Sequence, residues 1–413
     1  MKASQLKGQT IAFAGSGGLD SCTITRWLTN LGVKVISMTI DLGQPDDPDL
    51  EKVRQRMLGA GAAEALVIDG REALAREGFR VIQAQARYEG GYWNTTGIAR
   101  YVTTALILEE MRKRGIKIIS HGATGRGNDQ VRFQLATNML EPEFSVYAPW
   151  RDEEFLSAFG GRKEMIDFCL ANGVEVKHSH AKPYSTDANF LGLTHEAGQL
   201  ESLEVDAWMV EPEFGLRPDQ APDAIEAFEV RFKKGVPVEI NGKKVSSVEA
   251  IQAANLIGGR NGVGICLHVT ENRFVGIKSR GVYEAPGMEL LGKAYEYLLQ
   301  LILDRRANRL FSHLSLTLAE QIYQGFWYDT ASQAIRAAVA SFSELATGVI
   351  RVGCYKGNVV FQAAKDVPNC LYSESAASME RVGEFNHADS EGFLNVLGVS
   401  ARILAKAEQV REK

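Results

Sequence analysis

The sequence predicts an α/β protein: a parallel sheet with helices on both faces, then a second α+β domain, then a terminal helix. Three observations carry this. From Gln9 to about His121, short apolar runs alternate with amphipathic stretches of helical period, the pattern of consecutive βαβ units. After about Lys182 the chain turns polar and irregular, with Pro212, Pro218 and Pro222, before β-rich segments resume. The final stretch, "DSEGFLNVLGVSARILAKAEQVREK", has an apolar stripe. The expected division is 1–180, 181–385 and 386–413.

The elements follow in order. "TIAFA" is the first strand and Asp20 to Asn30 the first helix; "VKVISMTI", "DLEKVRQRMLG" and "ALVI" continue the alternation, followed by a long helix from Asn94 to Arg114 and the strand "IKIIS". Ligands of such a sheet sit beyond the carboxyl ends of its strands. In the second part, "AFEVRFKKGVPVEINGKKV" holds Asn241-Gly242 between β-rich flanks, a hairpin signal. Helices are expected at Ser247 to Gly258 and Pro286 to Asp304, and strand pairs at 264–278 and 347–364. In the terminal helix Phe393, Val396, Leu397, Val399, Ile403 and Leu404 need a surface to cover them, either on their own domain or on another subunit. No internal repeat or low-complexity tract is present.

Bulk properties narrow the function. With 413 residues, 45% of them hydrophobic and 23% charged, the chain is a globular protein of two or three domains. A net charge of -5, from 46 basic and 51 acidic side chains, gives no general attraction to RNA and favours small substrates. The five cysteines, Cys22, Cys169, Cys266, Cys354 and Cys370, form no CxxC pair, which suggests reduced thiols and no structural zinc. "MKASQLKGQT" has no apolar signal region, and no run approaches the ~18 apolar residues of a membrane span. A cytoplasmic location is expected.

The chemistry concentrates in "FAGSGGLDSC", residues 13 to 22. Gly15, Gly17 and Gly18 allow a tight turn with bare N–H groups. The hydroxyls of Ser16 and Ser21 stand beside a helix N-terminus, completing a cradle for an anion, most simply phosphate. A plain glycine turn is the alternative. Asp20 cannot bind bare phosphate; it either holds the loop or shares a Mg²⁺ with the polyphosphate. A second near-motif, "GMELLGKA" (287–294), has Ala294 where a phosphate loop needs a hydroxyl, and no strand feeds it, so it is read as a helix start.

"SGGLDS" resembles the pyrophosphate loop of the ATP pyrophosphatases, which cleave ATP between its α- and β-phosphates and adenylate a substrate oxygen. Only 15 residues precede Ser16, leaving no room for a glutaminase domain before it, and the paired cysteines of thiolating members are absent. The stretches "GYWNTTGIAR", "HGATGRGNDQVRF", "YAPW", "GGRKEM", "YSTDAN", "THEAG" and "ENRFVGIKSRGVYEAPG" run in order across the chain and resemble the argininosuccinate synthase family. That resemblance implies ligation of citrulline to aspartate through a citrullyl adenylate, with release of AMP and pyrophosphate, in a homotetramer that uses ATP with Mg²⁺.

It also implies site residues. The ATP set is Ala14, Ser16, Gly17, Gly18, Leu19, Asp20, Ser21, Gly122, Thr124, Asp129 and Asp187, with the backbone at Ile40 against adenine. Aspartate is expected at Thr96, Thr124, Asn128 and Asp129. Citrulline is expected at Tyr92, Asn128, Arg132, Ser185, Thr194, Glu196, Glu271 and Tyr283. Asp20, Asp129 and Arg132 stand at the reaction centre, and no resident metal site is expected. Arg132 suits a carboxylate; Glu196 and Glu271 suit an ammonium or a ureido group.

Bland readings stay open beside these. Arg132 could be a surface ion pair, Glu271 and Arg273 strand-edge charges, and Tyr92 and Tyr283 core aromatics. His121 is read as structural, and His178-Ser-His180 lacks a third metal ligand. Cys22 stands where many members of the family carry a hydroxyl. Two alternatives to the leading function remain at this point: a related ligase for another ureido or amide substrate, and a non-catalytic nucleotide sensor.

Overall fold

In the computed structural model, which describes residues 1–45, 47–125, 127–175, 183–380, 382–383 and 386–410, β1 (Thr10–Ala14) runs through the middle of a five-stranded parallel sheet. Ile11, Ala12 and Phe13 are all buried, because helices cover both faces of a central strand. After α1 (Leu19–Asn30) come β2 (Lys34–Asp41), α2 (Leu50–Gly59), β3 (Glu64–Asp69), α3 (Arg71–Gln83), α4 (Thr95–Arg114), β4 (Ile118–His121), α5 (Asp129–Leu140), β5 (Ser145–Tyr147), α6 (Glu153–Ala158) and α7 (Arg162–Ala171). The strand order is β3-β2-β1-β4-β5. Order reverses between β1 and β4, so their carboxyl ends, Ala14 and His121, flank the crevice where such sheets take ligands.

The passage read as irregular is in part a hairpin. β6 (Ser185–Asn189) and β7 (Gly192–Glu196) pair antiparallel, and with β11 (Leu267–Asn272) and β12 (Lys278–Glu284) they form a four-stranded sheet in the order β11-β12-β7-β6. Its polarity misleads because one face of the hairpin lines a cavity rather than a core. Between these strands lie β8 (Glu226–Lys233), β9 (Val236–Ile240), β10 (Lys243–Lys244) and α8 (Ser247–Arg260). Asn241 and Gly242 both adopt positive φ, 48° and 76°, at the β9–β10 turn, as the hairpin signal predicts.

Helices α9 (Pro286–Ile302), α10 (Arg305–Gln324) and α11 (Thr330–Ser343) precede β13 (Gly348–Tyr355) and β14 (Asn358–Lys365), which close a second five-stranded sheet, β10-β9-β8-β13-β14. The helix expected to reach Asp304 stops at Ile302, and Asp304 instead caps α10 by accepting from the Ala307 N–H at 2.7 Å. Helices α3, α10 and α11 have no counterpart in the sequence reading; in α10, exposed Leu310 and Leu316 blur the apolar stripe.

Residues 1–368 form one compact unit, whose main core joins the parallel sheet to α8, α9 and the β8–β13 sheet. Residues 369–413 form a second unit with α12 (Glu374–Ala377) and α13 (Ala388–Lys406), and neither helix has a buried residue. The six apolar positions read from the sequence are all exposed on α13. His178-Ser-His180 lies outside the described residues, and no described helix is long and apolar enough to cross a membrane.

Candidate active site

The glycine loop leaves β1 at its carboxyl end and bends back against β2. Gly15 donates its N–H to the Met38 carbonyl at 3.2 Å, while Thr39 Oγ1 donates to the Gly15 carbonyl at 2.7 Å. A Cβ at Gly15 would lie 2.3 Å from Ser37 Oγ, so no other residue fits without displacement. Gly17 has φ +70° and faces α2, where a Cβ would sit 2.9 Å from Val53. The Ser21 hydroxyl reaches back from the first turn of α1 to accept the Ser16 N–H at 3.1 Å, with Ser16 Oγ 3.0 Å away. The loop therefore presents amides and hydroxyls to one side, at the positive end of a helix.

That side opens into a cavity of about 660 Å³ bounded by both parts of the unit. Ala14, Ser16, Gly18, Asp20, Ser21, Ile40, Gly122, Thr124, Asp129 and Asp187 of the expected ATP set line it, as do Thr96, Asn128, Tyr92, Arg132, Thr194, Glu196, Glu271 and Tyr283. Three expected residues do not. Gly17 turns toward α2, Leu19 packs against the core beneath the loop, and Ser185 sits exposed at the start of β6. Cys22 is also beneath the loop, buried, with its thiol 3.7 Å from the Gly17 carbonyl and pushed up to about 12 by burial. It supports the cradle from behind rather than facing its contents.

Arginines organise the cavity's centre. Arg100 donates from Nε to Asp129 Oδ2 at 2.9 Å and from Nη2 to Asp187. Arg132 donates to Asp129 Oδ1 at 2.8 Å and, through Nε and Nη2, to the Tyr323 carbonyl at 3.1 and 2.9 Å. Its terminal nitrogens each keep a further N–H, in the fork geometry that matches a carboxylate. Burial would raise the Asp129 carboxyl, but Arg100 and Arg132 outweigh it and hold it below the usual range. Asp187 is raised, since burial exceeds what Arg100 returns. Arg132 is thus no surface ion pair: it is 4% exposed and committed to the site.

At the far end, Glu271 accepts from the Tyr283 hydroxyl at 2.7 Å and from Ser279 Oγ at 3.1 Å. Tyr92 stacks on Tyr283 at 4.1 Å and Tyr88 on Tyr323 at 3.7 Å. Tyr92 also accepts the Thr96 N–H at 3.0 Å, at the start of α4. This corner, aromatic-walled with a carboxylate in it, suits an ammonium group. Behind the sheet, His195 donates to Glu284 at 2.5 Å, and Glu284 also accepts the Phe214 N–H at 2.8 Å. That buried cluster fixes β7 against β12, and so Thr194 opposite Tyr283 and Glu196 opposite Gly281.

Sequence reasoning missed Arg100, Tyr323 and Asp47, all of which line the cavity, and gave no site role to Arg273, for which a strand-edge charge was the open alternative and which lines the cavity too. For Arg100 a signal existed: it stands four residues after Thr96 on α4, on the same helical face. Tyr323 had none, since it arrives from α10 across the fold. His121 lines the cavity, accepts the Ala123 N–H at 3.2 Å and stacks on Phe133. Burial, with Arg151, lowers it to about 3, so it stays neutral and structural.

Two family models match the chain. "Arginosuccinate synthase N-terminal HUP domain" covers residues 10–175 and "Arginosuccinate synthase C-terminal domain" covers 184–404. The chain belongs to the argininosuccinate synthase family. Among its relatives, an argininosuccinate synthase of Rhodopirellula baltica is 42% identical over 96% of this chain and 98% of its own length. Argininosuccinate synthases of Desulfitobacterium hafniense and Carboxydothermus hydrogenoformans are each 38% identical, covering 97% and 98% of this chain and 98% and 100% of theirs. The membership agrees with a cavity that joins a phosphate cradle to two sets of groups suited to amino acids.

Proposed function

We propose that this chain ligates citrulline to aspartate, consuming ATP and forming argininosuccinate, AMP and pyrophosphate in arginine biosynthesis. The observation that carries the reading is continuity: the cradle at Ser16 to Ser21, the Arg100–Asp129–Arg132 centre and the tyrosine-walled Glu271 all border one cavity. A ligase that transfers AMP to one amino acid and then lets another displace it needs its three substrates side by side.

ATP lies with its phosphates on Ser16, Gly18 and Ser21, its adenine beside Ile40, and its remaining contacts at Ala14, Gly122, Thr124 and Asp187. Citrulline places its α-ammonium at Glu271, Tyr92 and Tyr283 and its α-carboxylate at Arg132 and Asn128. Its ureido group then points toward Thr194 and Glu196. Aspartate occupies Thr96, Thr124, Asn128 and Asp129. The ureido oxygen attacks the α-phosphorus; the aspartate nitrogen then attacks the ureido carbon, and AMP leaves. The enzyme's part is positioning and electrostatic stabilisation.

Mg²⁺ accompanies the polyphosphate in this reading, neutralising its charge. Asp20 lines the cavity beside the cradle and fits one such oxygen ligand, and no group of three or more His, Cys, Asp or Glu suited to a metal exists among the described residues. The phosphates would supply most of its other ligands. We further propose the division 1–180, 181–385 and 386–413, a cytoplasmic homotetramer, and α13 as an arm to a neighbouring subunit.

The test is pyrophosphate release from Mg-ATP by the pure protein with citrulline and aspartate, singly and together. Release that requires citrulline supports the reading. Release with neither amino acid, or none at all, overturns it in favour of another substrate or a nucleotide sensor.

A further inference from the structure

The second half-reaction has a proton problem that the site described so far does not solve. Aspartate arrives as an ammonium, and a nitrogen without a free electron pair cannot attack carbon. We propose that Glu196 is the general base of this step, its carboxylate taking a proton from the aspartate ammonium as the nitrogen attacks the adenylated ureido carbon. This rests on the citrulline–aspartate reading above.

Geometry singles Glu196 out. It ends β7 in register with Ser185 on one side and Gly281 on the other. By the two-residue period of a strand, it shares the cavity face with Thr194. Thr194 Oγ1 lies 3.0 Å from Thr96 Oγ1, in the set proposed to hold aspartate. Glu196 is open to the cavity it lines, and its carboxylate makes no hydrogen bond or ion pair with a described residue. The competing bases are engaged or too weak: Asp129 is held by Arg100 and Arg132, Asp187 by Arg100, and Glu271 by Tyr283 and Ser279. His121 is a poor acceptor at neutral pH.

The charged groups facing Glu196 are Asp129 from α5, Asp187 from β6, Glu271 from β11 and Arg273 from the β11–β12 turn. Although its side chain stays accessible to water, the enclosing cavity walls and then the three carboxylates push it up to about 7 against the opposing pull of Arg273. A base poised there accepts a proton in one step and gives it up to solvent in the next.

The step balances. The ammonium gives one proton to Glu196, and its freed electron pair forms the new C–N bond. The bond from the ureido carbon to the adenylate oxygen then breaks, with its electron pair leaving on AMP. A second proton passes from the nitrogen to the departing AMP phosphate as the guanidinium forms.

Glu196→Gln tests this, because adenylation and displacement can be measured separately. Citrulline-dependent exchange of radiolabelled pyrophosphate into ATP, without aspartate, reports the first half; argininosuccinate formation reports the whole. In the variant, the ratio of product formation to exchange should fall about 100-fold; the parent protein's turnover should decline below about pH 7, where Glu196 becomes protonated, and that decline should be absent from the variant. Glu196→Asp, which keeps a carboxylate, should restore part of the ratio and the pH dependence. An unchanged ratio in Glu196→Gln, including one in which exchange and product fall equally, would overturn the proposal and leave Glu196 a citrulline contact. If the parent protein itself shows no citrulline-dependent exchange, it is the proposed function that fails.

Discussion

Replacing Arg100 by methionine removes the guanidinium that separates Asp129 from Asp187 while keeping much of the side chain's apolar volume. Each of the two contacts is worth about 4 kcal/mol gross at an effective dielectric of ~20 and a charge separation of ~4 Å, and desolvation of the guanidinium cancels much of that sum. The side chains of Arg100, Asp129 and Asp187 are 21%, 25% and 34% exposed, between surface and interior. Surface pairs contribute up to about 1 kcal/mol and broken buried pairs cost about 3–5 kcal/mol. A loss of about 2 kcal/mol at neutral pH follows by interpolation. Asp129, held low in the folded protein by its arginines, contributes stability that is present above the ordinary carboxylate range and lost as pH falls through its depressed value. The difference between parent and variant should therefore be full at pH 7 and shrink below ~4. Urea unfolding of both proteins at pH 7 and pH 3 measures it. An equal difference at the two pH values would show that Arg100 acts through packing and not through its carboxylates.

Three further outcomes are expected. Gly15→Ala forces a methyl to 2.3 Å from Ser37 Oγ; overpacking should destabilise the unit by about 1–3 kcal/mol and weaken ATP binding in a titration while citrulline binding is retained. Asp20→Ala should reduce citrulline-dependent pyrophosphate release at least 100-fold with the circular-dichroism melt unchanged, since the one side chain among the described residues that donates to Asp20 is Trp150, through its indole N–H at 3.1 Å. Deleting 386–413 removes the exposed stripe of α13; light scattering should then report fewer subunits per assembly than for the full chain, and an unchanged number of subunits would exclude an intersubunit arm.

The parallel sheet was legible because its information is local. A buried strand such as Ile11 to Phe13 is a run of apolar residues followed by glycines, and both marks lie within a few positions. The cradle was legible for the same reason, and nearly every residue carried over by motif borders the cavity. The hairpin Ser185–Glu196 was harder: its alternation is polar on the cavity side, so the pattern that marks a strand against a core is missing. Tyr323 lay beyond reach altogether. Its carbonyl fixes Arg132 and its ring stacks on Tyr88, contacts between residues nearly two hundred or more positions apart that no local pattern encodes.

The same comparison explains why the cavity's acids behave so differently. Asp20, Asp129, Asp187, Glu196 and Glu271 border one space, and in sequence they are interchangeable carboxylates. The fold distinguishes them by their partners. Asp129 receives two guanidinium groups and is locked in its charged form; Asp187 shares one of them; Glu271 is satisfied by two hydroxyls; Asp20 has an indole N–H. Glu196 is left facing three of these acids with Arg273 as the cation opposing them. A site that handles one polyanion and two amino acids needs fixed negative charge to orient ammonium groups, and it also needs one carboxylate free to change its charge during the reaction. Partner allocation, set by α4, α5 and the β6–β7 hairpin, assigns those two duties to chemically identical groups.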